Sequence, residues 1–116
     1  MKESTRFSAE GMTCAAFRHG PFEMLGPHVF VVVLAGDARS RSFSLRLADD
    51  IERAGGKSAL IDIDAGLAAF RIPALPDIIR PVVEILPVQM ISLALAARSG
   101  REAGRFELAS KITSVE

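Results

Sequence analysis

The sequence predicts an α/β domain built on a mainly parallel sheet. A continuous apolar, β-branched run over 28–36 is typical of a strand buried on both faces, as the strands of parallel sheets are. Apolar residues at helical spacing follow this run, and a second strand-like run occupies 58–64. Strand, helix and strand in this order favour a right-handed crossover between parallel neighbours.

The helix between the two runs has residues at both ends that favour helix boundaries. Asp37 and Ser40 are good N-cap residues, because their side-chain oxygens can accept hydrogen bonds from the first free N–H groups. Gly55 and Gly56 can end the helix in the left-handed conformation. Between these ends the apolar positions recur at helical spacing: Phe43, Leu47, Ile51 and Ala54.

The second half of the chain predicts one short strand and one long helix. Residues 68–73 fit a third strand that ends at a proline, and residues 77–99 fit a helix that stops at Gly100. This helix is apolar nearly all round, which indicates a buried helix. It is a poor membrane span, because charged, proline and glutamine positions interrupt it: Arg80, Pro81, Glu84, Pro87 and Gln89.

The two termini are less regular. Residues 5–11 fit a further strand, preceded by the last turn of a helix. Residues 105–116 combine apolar, charged and hydroxyl side chains without a clear period, and such a tail is by default a disordered one.

Composition excludes several classes of function. The 116 residues are 49% hydrophobic, enough for the core of one domain. Lys plus Arg and Asp plus Glu both number 14, so no basic excess is available to neutralise nucleic-acid phosphates. The only cysteine, Cys14, can form neither an internal disulfide nor a zinc site, and a buried structural thiol is expected. The start lacks the apolar segment of a signal peptide, so a soluble, cytoplasmic protein is expected.

Seven segments, taken in order, carry a family resemblance. They are KE at 2–3, SAEG at 8–11, FRHGP at 17–21, VVVLAGD at 31–37, DDIERAGGK at 49–57, EILPVQMISLALAARSG at 84–100 and LASKITSVE at 108–116. Together they resemble the sugar isomerase (SIS) domain family, and most closely the C-terminal part of the second such domain in the glucosamine-6-phosphate synthase family. The resemblance covers nearly the whole chain.

The resemblance implies a flavodoxin-like three-layer sandwich that lacks its opening strand and most of its first helix. On this interpretation 1–104 form the C-terminal portion of an SIS domain, and 105–116 form an active-site tail. We therefore expect the chain by itself to leave one sheet edge and the helix at 77–99 partly uncovered, which favours association.

The implied activity is aldose–ketose isomerisation of fructose 6-phosphate or glucosamine 6-phosphate, of the glutamine–fructose-6-phosphate aminotransferase type. Ring opening needs a group that exchanges a proton near neutral pH, which suits histidine. The resemblance assigns this role to His19 and places it at a homodimer interface, where the Gly20–Pro21 turn aims it into the neighbouring subunit. No cofactor, metal, membrane or nucleic acid is implied.

The resemblance assigns the other roles as well. Glu3 matches the carboxylate that moves the proton between C1 and C2. Lys111 matches the lysine that forms an imine with the open ketose, and Ala109 and Lys111 match substrate-binding positions. The phosphate-binding loop of the family lies in its other isomerase domain, so the serines at 40, 42 and 44 are interpreted as helix-start and helix-face residues. Lys57 is interpreted as a surface residue.

Two other functions stay open at this stage. A glucosamine-6-phosphate deaminase has the same fold and runs the isomerisation towards the ketose with release of ammonia. A non-catalytic sugar-phosphate-binding module is the third possibility, although a pure binder needs no proton shuttle. Ala16 departs from the family, which often has Glu at that position, and this leaves room for the related deaminases and isomerases.

Overall fold

The computed structural model describes residues 1–105, apart from the side chains of Glu3 and Ser4. Its helices and strands confirm an α/β fold with a parallel sheet. In chain order they are α1 (Lys2–Thr5), α2 (Cys14–Arg18), β1 (Phe30–Leu34), α3 (Arg41–Arg53), β2 (Lys57–Ile61) and α4 (Arg80–Arg98), with 3-10 turns at Pro21–Met24 and Ala68–Phe70.

The sheet consists of β1 and β2, which lie side by side and parallel. Their register runs from Phe30 opposite Lys57 to Leu34 opposite Ile61. Helix α3 makes the crossover between them, as parallel neighbours require. Both strands are shorter than the sequence predicts, because the chain bends at Asp37 soon after β1 and turns at Ile63 soon after β2.

The core lies between this sheet and α3. Val33, Leu47 and Ile51 are buried at its centre. Seven partly buried side chains pack around them: Cys14, Phe17, Phe22, Leu25, Val31, Ala48 and Leu60. Phe43, the first member of the apolar series on α3, is instead 59% exposed.

Two glycines end α3, as predicted. Gly55 has a φ of 78°, in the left-handed region, and its N–H donates to the carbonyl of Glu52. The Gly56 N–H donates to the carbonyl of Ile51. A Cβ atom at Gly56 would lie 2.8 Å from Ile51 Cγ2, so this position also needs glycine for the close approach of the helix.

Two predicted strands are wrong. Residues 68–73 form the 3-10 turn Ala68–Phe70 and then a single parallel bridge between Arg71 and Asp62. The pairing stops after one bridge, because the chain turns at Ile63 and Asp64, directly after Asp62. Residues 5–11 contain no strand: α1 supplies the predicted last helical turn, and Arg6 then turns the chain with a φ of 53°.

The chain divides into two compact units, Gly11–Pro87 and Met1–Glu10 with Val88–Glu116. The first unit holds the sheet, α2, α3 and the core. In the second unit, Lys2 Nζ lies 3.3 Å from Glu10 Oε1, and the Arg101 N–H closes the end of α4 by donating to the carbonyl of Ala96.

Helix α4 is not buried in this chain, although its apolar composition indicates a buried helix. We expected the chain by itself to leave this helix partly uncovered, and the structure agrees with that. Its exposed apolar side chains are spaced three or four residues apart and include Val82, Leu86, Met90 and Leu93. By length and composition, α4 is also the one helix of the described residues that could cross a membrane. Core helices of soluble proteins pass the same test, so no membrane assignment follows.

Candidate functional site

The His-Gly-Pro segment forms a tight turn. His19 caps the C-terminus of α2, Gly20 has a φ of 136° and Pro21 begins a 3-10 turn. Only glycine adopts such a φ without strain, and proline fixes the backbone for the turn that follows. His19 is exposed at this corner.

Contacts on both sides hold the turn in place. The Phe17 and Phe22 rings pack edge to face across it, with centroids 6.0 Å apart. Arg18 Nη2 donates to Asp50 Oδ2 at 2.6 Å, which ties the end of α2 to α3. At the other end of α2, the Thr13 hydroxyl accepts from the Ala16 N–H. The backbone that carries His19 is therefore fixed, while its imidazole faces solvent.

The other residues assigned by resemblance lie outside the compact unit that holds His19 or outside the described residues. Glu3 lies in α1, in the other compact unit, and its side chain is not described. Ala109 and Lys111 lie outside the described residues, as does nearly all of the predicted tail. Lys57 is exposed, as predicted.

The serines at 40, 42 and 44 lie at the start and on the face of α3, as predicted, but the predicted capping by the Ser40 side chain is not found. Ser40 is the N-cap residue. Its N–H and its hydroxyl instead donate to Asp37 Oδ1 at 2.8 and 2.6 Å. These hydrogen bonds from Ser40 hold the pKa of Asp37 below its usual value. Ser44 is buried, and its Oγ lies 3.8 Å from the Sγ of Cys14, which is half-buried.

Sequence reasoning missed a buried group of charges where β1 and β2 end. Asp62 follows β2 and is completely buried. Its carboxylate accepts hydrogen bonds from Arg41, with distances of 3.0 Å from Nε and 2.6 Å from Nη2 to Oδ2. Glu84 on α4 is 3% exposed, and its Oε1 accepts from the Gly36 N–H at 2.8 Å. The two carboxylates join α3 to the end of β2, and α4 to the loop after β1.

Arg80 completes this buried charge cluster, which we define as Arg41, Asp62, Arg80 and Glu84. Its Nη1 lies 4.0 Å from Asp62 Oδ1 and 3.9 Å from Glu84 Oε1. Its side chain is only 11% exposed, and its Nε and Nη1 have no hydrogen-bond acceptor. Arg80 therefore balances the two buried carboxylates by charge rather than by direct hydrogen bonds.

The pKa values of Asp62 and Glu84 shift in opposite directions. Burial acts to raise the pKa of Asp62, but the hydrogen bonds from Arg41 and the Ile63 N–H, together with the nearby arginine charges, hold that pKa below its usual value. Burial raises the pKa of Glu84, because the Gly36 N–H and Arg80 only partly compensate and the charges of Asp62 and Asp37 act against ionisation.

The cluster lies at the edge of the sheet where open α/β domains bind ligands, outside the carboxyl ends of the strands. Here the side chains of the cluster contact one another, so the cluster links α3, the end of β2, α4 and the loop after β1. The one sequence signal for it was the i, i+4 spacing of Arg80 and Glu84, which places opposite charges on one face of a helix.

The whole chain is similar in sequence to a class of isomerizing aminotransferases. One such relative is the glutamine–fructose-6-phosphate aminotransferase [isomerizing] of Mesorhizobium japonicum, which is 27% identical over 124 residues. The enzymes of the same name from Streptomyces coelicolor and Brucella abortus are 28% and 26% identical. Each match covers 100% of this chain. The expected relationship to glutamine–fructose-6-phosphate aminotransferases is thus confirmed.

The chain spans about a fifth of the length of the curated relatives it matches, between 20% and 21% of each of these three. No protein-family model matches it.

Proposed function

We propose that this chain contributes the isomerase chemistry of a glutamine–fructose-6-phosphate aminotransferase, acting on fructose 6-phosphate or glucosamine 6-phosphate. The observation that carries the proposal is the similarity of the whole chain to isomerizing aminotransferases. The braced His-Gly-Pro turn supports it, because a fixed backbone with an exposed imidazole suits a histidine that reaches a sugar.

In this proposal His19 opens the sugar ring. The imidazole accepts the proton of the anomeric hydroxyl and returns one to the ring oxygen as the C–O bond breaks, and both steps need a group that titrates near neutral pH. Its exposure leaves the ring free to enter the site of a neighbouring copy. A homodimer with His19 at the subunit interface is part of the proposal.

The remaining steps use the two other assigned side chains. Glu3 takes the proton from one of C1 and C2 and delivers it to the other, through an enediolate. Lys111, in an active-site tail of residues 105–116, attacks the open ketose at C2 and forms an imine with loss of water. In this proposal Ala109 contacts the substrate beside Lys111. The matched relatives are aminotransferases, which favours this function over the deaminase and the non-catalytic binding module.

The test compares His19→Asn with His28→Asn in the assembled enzyme. His28 is the only other histidine and is also exposed, which makes it a matched control. Conversion of fructose 6-phosphate to glucose 6-phosphate is followed with glucose-6-phosphate dehydrogenase. We expect His19→Asn to slow turnover of the cyclic sugar by about 10²-fold or more, the usual contribution of a general acid–base group. An open-chain analogue should lose much less.

Equal losses on the cyclic and open-chain substrates would remove His19 from ring opening and return it to the role of a helix cap. Absence of isomerisation by the unmodified enzyme would contradict the proposed function itself.

A further inference from the structure

An open groove of about 660 Å³ lies between α2 and α3. Cys14 at the start of α2 contacts Ser44 on α3, and Arg18 at the end of α2 pairs with Asp50, further along α3. The two helices therefore run in the same direction along the groove. The volume falls within the range of small-molecule sites, about 300–1,000 Å³.

The groove has mainly apolar walls. Cys14 and Ala15 contribute from α2, and Phe43 contributes from α3. Phe43 is 59% exposed, although the helix that carries it is well packed through Leu47 and Ile51. A flat apolar group placed in the groove would cover this ring and remove its surface from water.

The charges at the rim favour an anion. The groove is lined by two arginines and one aspartate, and Arg18 is paired with Asp50 at 2.6 Å. The guanidinium carbon of Arg46 lies 4.8 Å from the centroid of the Phe43 ring. Among the described residues Arg46 makes no ion pair with a carboxylate. Its N–H donors are therefore available beside an exposed aromatic ring.

We propose that this groove binds an organic anion with a flat apolar body, of which an aromatic carboxylate is the simplest example. Its ring packs on Phe43 and Ala15, and its carboxylate accepts hydrogen bonds from Arg46. The site uses none of Glu3, His19 and Lys111, so its test is independent of the test of the proposed isomerase activity.

Cys14 offers a reporter, because it is the only cysteine and lines the groove. The full chain is treated with 5,5′-dithiobis(2-nitrobenzoate), a dianionic aromatic disulfide, and separately with 4,4′-dithiodipyridine, a neutral one. In both reactions the Cys14 thiolate attacks one sulfur, a mixed disulfide forms, and one aromatic thiolate leaves. The rate with the dianionic disulfide is divided by the rate with the neutral one. This ratio does not depend on the intrinsic reactivity or the exposure of the thiol.

We expect the rate with the dianion to saturate, and Arg46→Gln to lower the ratio by about tenfold, since it removes a charge-assisted hydrogen bond to the carboxylate. Arg39→Gln is the matched control, because Arg39 is exposed before α3 and does not line the groove. This control should keep the ratio of the unmodified chain. 2-Nitrobenzoate, which lacks the disulfide, should slow labelling by dithiodipyridine in the unmodified chain.

An unchanged ratio in Arg46→Gln, or labelling that 2-nitrobenzoate does not slow, would overturn the proposal. Should Cys14 react with neither disulfide, titration calorimetry with 2-nitrobenzoate decides the matter. Saturable heat that Arg46→Gln abolishes supports the site, and equal heats in the two proteins, or none, refute it.

Discussion

At the scale of single residues, the buried charge cluster shows how a charge can be kept out of water. Asp62 is buried completely, yet it remains ionised because two nitrogens of Arg41 donate hydrogen bonds to its carboxylate and Arg80 lies 4.0 Å away. Removing one member of such a cluster leaves the opposite charges without compensation, which costs more than the cluster contributes as a whole.

Asp62→Asn should therefore destabilise the chain strongly at neutral pH, by about 3 kcal/mol of unfolding free energy. Asp64→Asn is the matched control: Asp64 also pairs with Arg41, at 3.1 Å, but is well exposed. Its loss should cost less than about 1 kcal/mol, as for other exposed pairs. Urea unfolding of both variants measures the difference. Equal losses would show that burial of Asp62 does not set its contribution.

The raised pKa of Glu84 makes the stability of the folded chain depend on pH. Its pKa is raised in the folded chain, so the folded state holds this proton more tightly than the unfolded state. The contribution of Glu84 to stability is therefore present below the ordinary value of 4.5 and declines as the pH rises through the raised pKa. Glu84→Gln should remove this decline and still accept from the Gly36 N–H through its amide oxygen. Urea midpoints measured from pH 4 upward test it; a parallel pH profile in the variant would contradict the account.

Among the helices and strands, the sequence pattern predicted correctly those whose formation depends on residues close together in the chain. The order β1, α3, β2 followed from a β-branched run, helical spacing and the Gly55–Gly56 stop. The 3-10 turn at Ala68–Phe70 was mistaken for a strand, because strand pairing depends on a neighbour that the sequence does not show. The charge cluster was missed for the same reason, since Gly36 and Glu84 meet across 48 positions of sequence.

The His-Gly-Pro turn is the element on which the candidate site depends. Gly20→Ala should cost about 1–3 kcal/mol, because a φ of 136° strains any residue with a Cβ atom. The space around Gly20 is open, so the cost comes from the backbone alone. Gly66→Ala is the control, since Gly66 also has open space but no positive φ. Urea unfolding should separate the two variants; similar midpoints would show that the turn relaxes without loss.

For the whole molecule, α4 is the element that bears on association, because it exposes large apolar side chains at helical spacing, and a contiguous exposed apolar patch favours association. We predict concentration-dependent association of the chain by itself, measured by sedimentation velocity. Leu86→Gln on α4 should weaken it, whereas Leu67→Gln, at an exposed loop position, should not. A monomer at high concentration would contradict this prediction, and so would equal effects of the two substitutions.

The proposed function requires this chain to handle an open ketose phosphate, and the three lysines of the sequence allow a direct test. If residues 105–116 close over the sugar, Lys111 is held next to C2 of the open ketose, and positioning gives it a high effective concentration there. In the assembled enzyme, fructose 6-phosphate and borohydride should then give a stable adduct on Lys111 and none on Lys2 or Lys57. Peptide mass mapping identifies the labelled site. Labelling spread over all three lysines, or none on Lys111 while isomerisation continues, would contradict the imine role and leave an isomerase that relies on Glu3 and His19 alone.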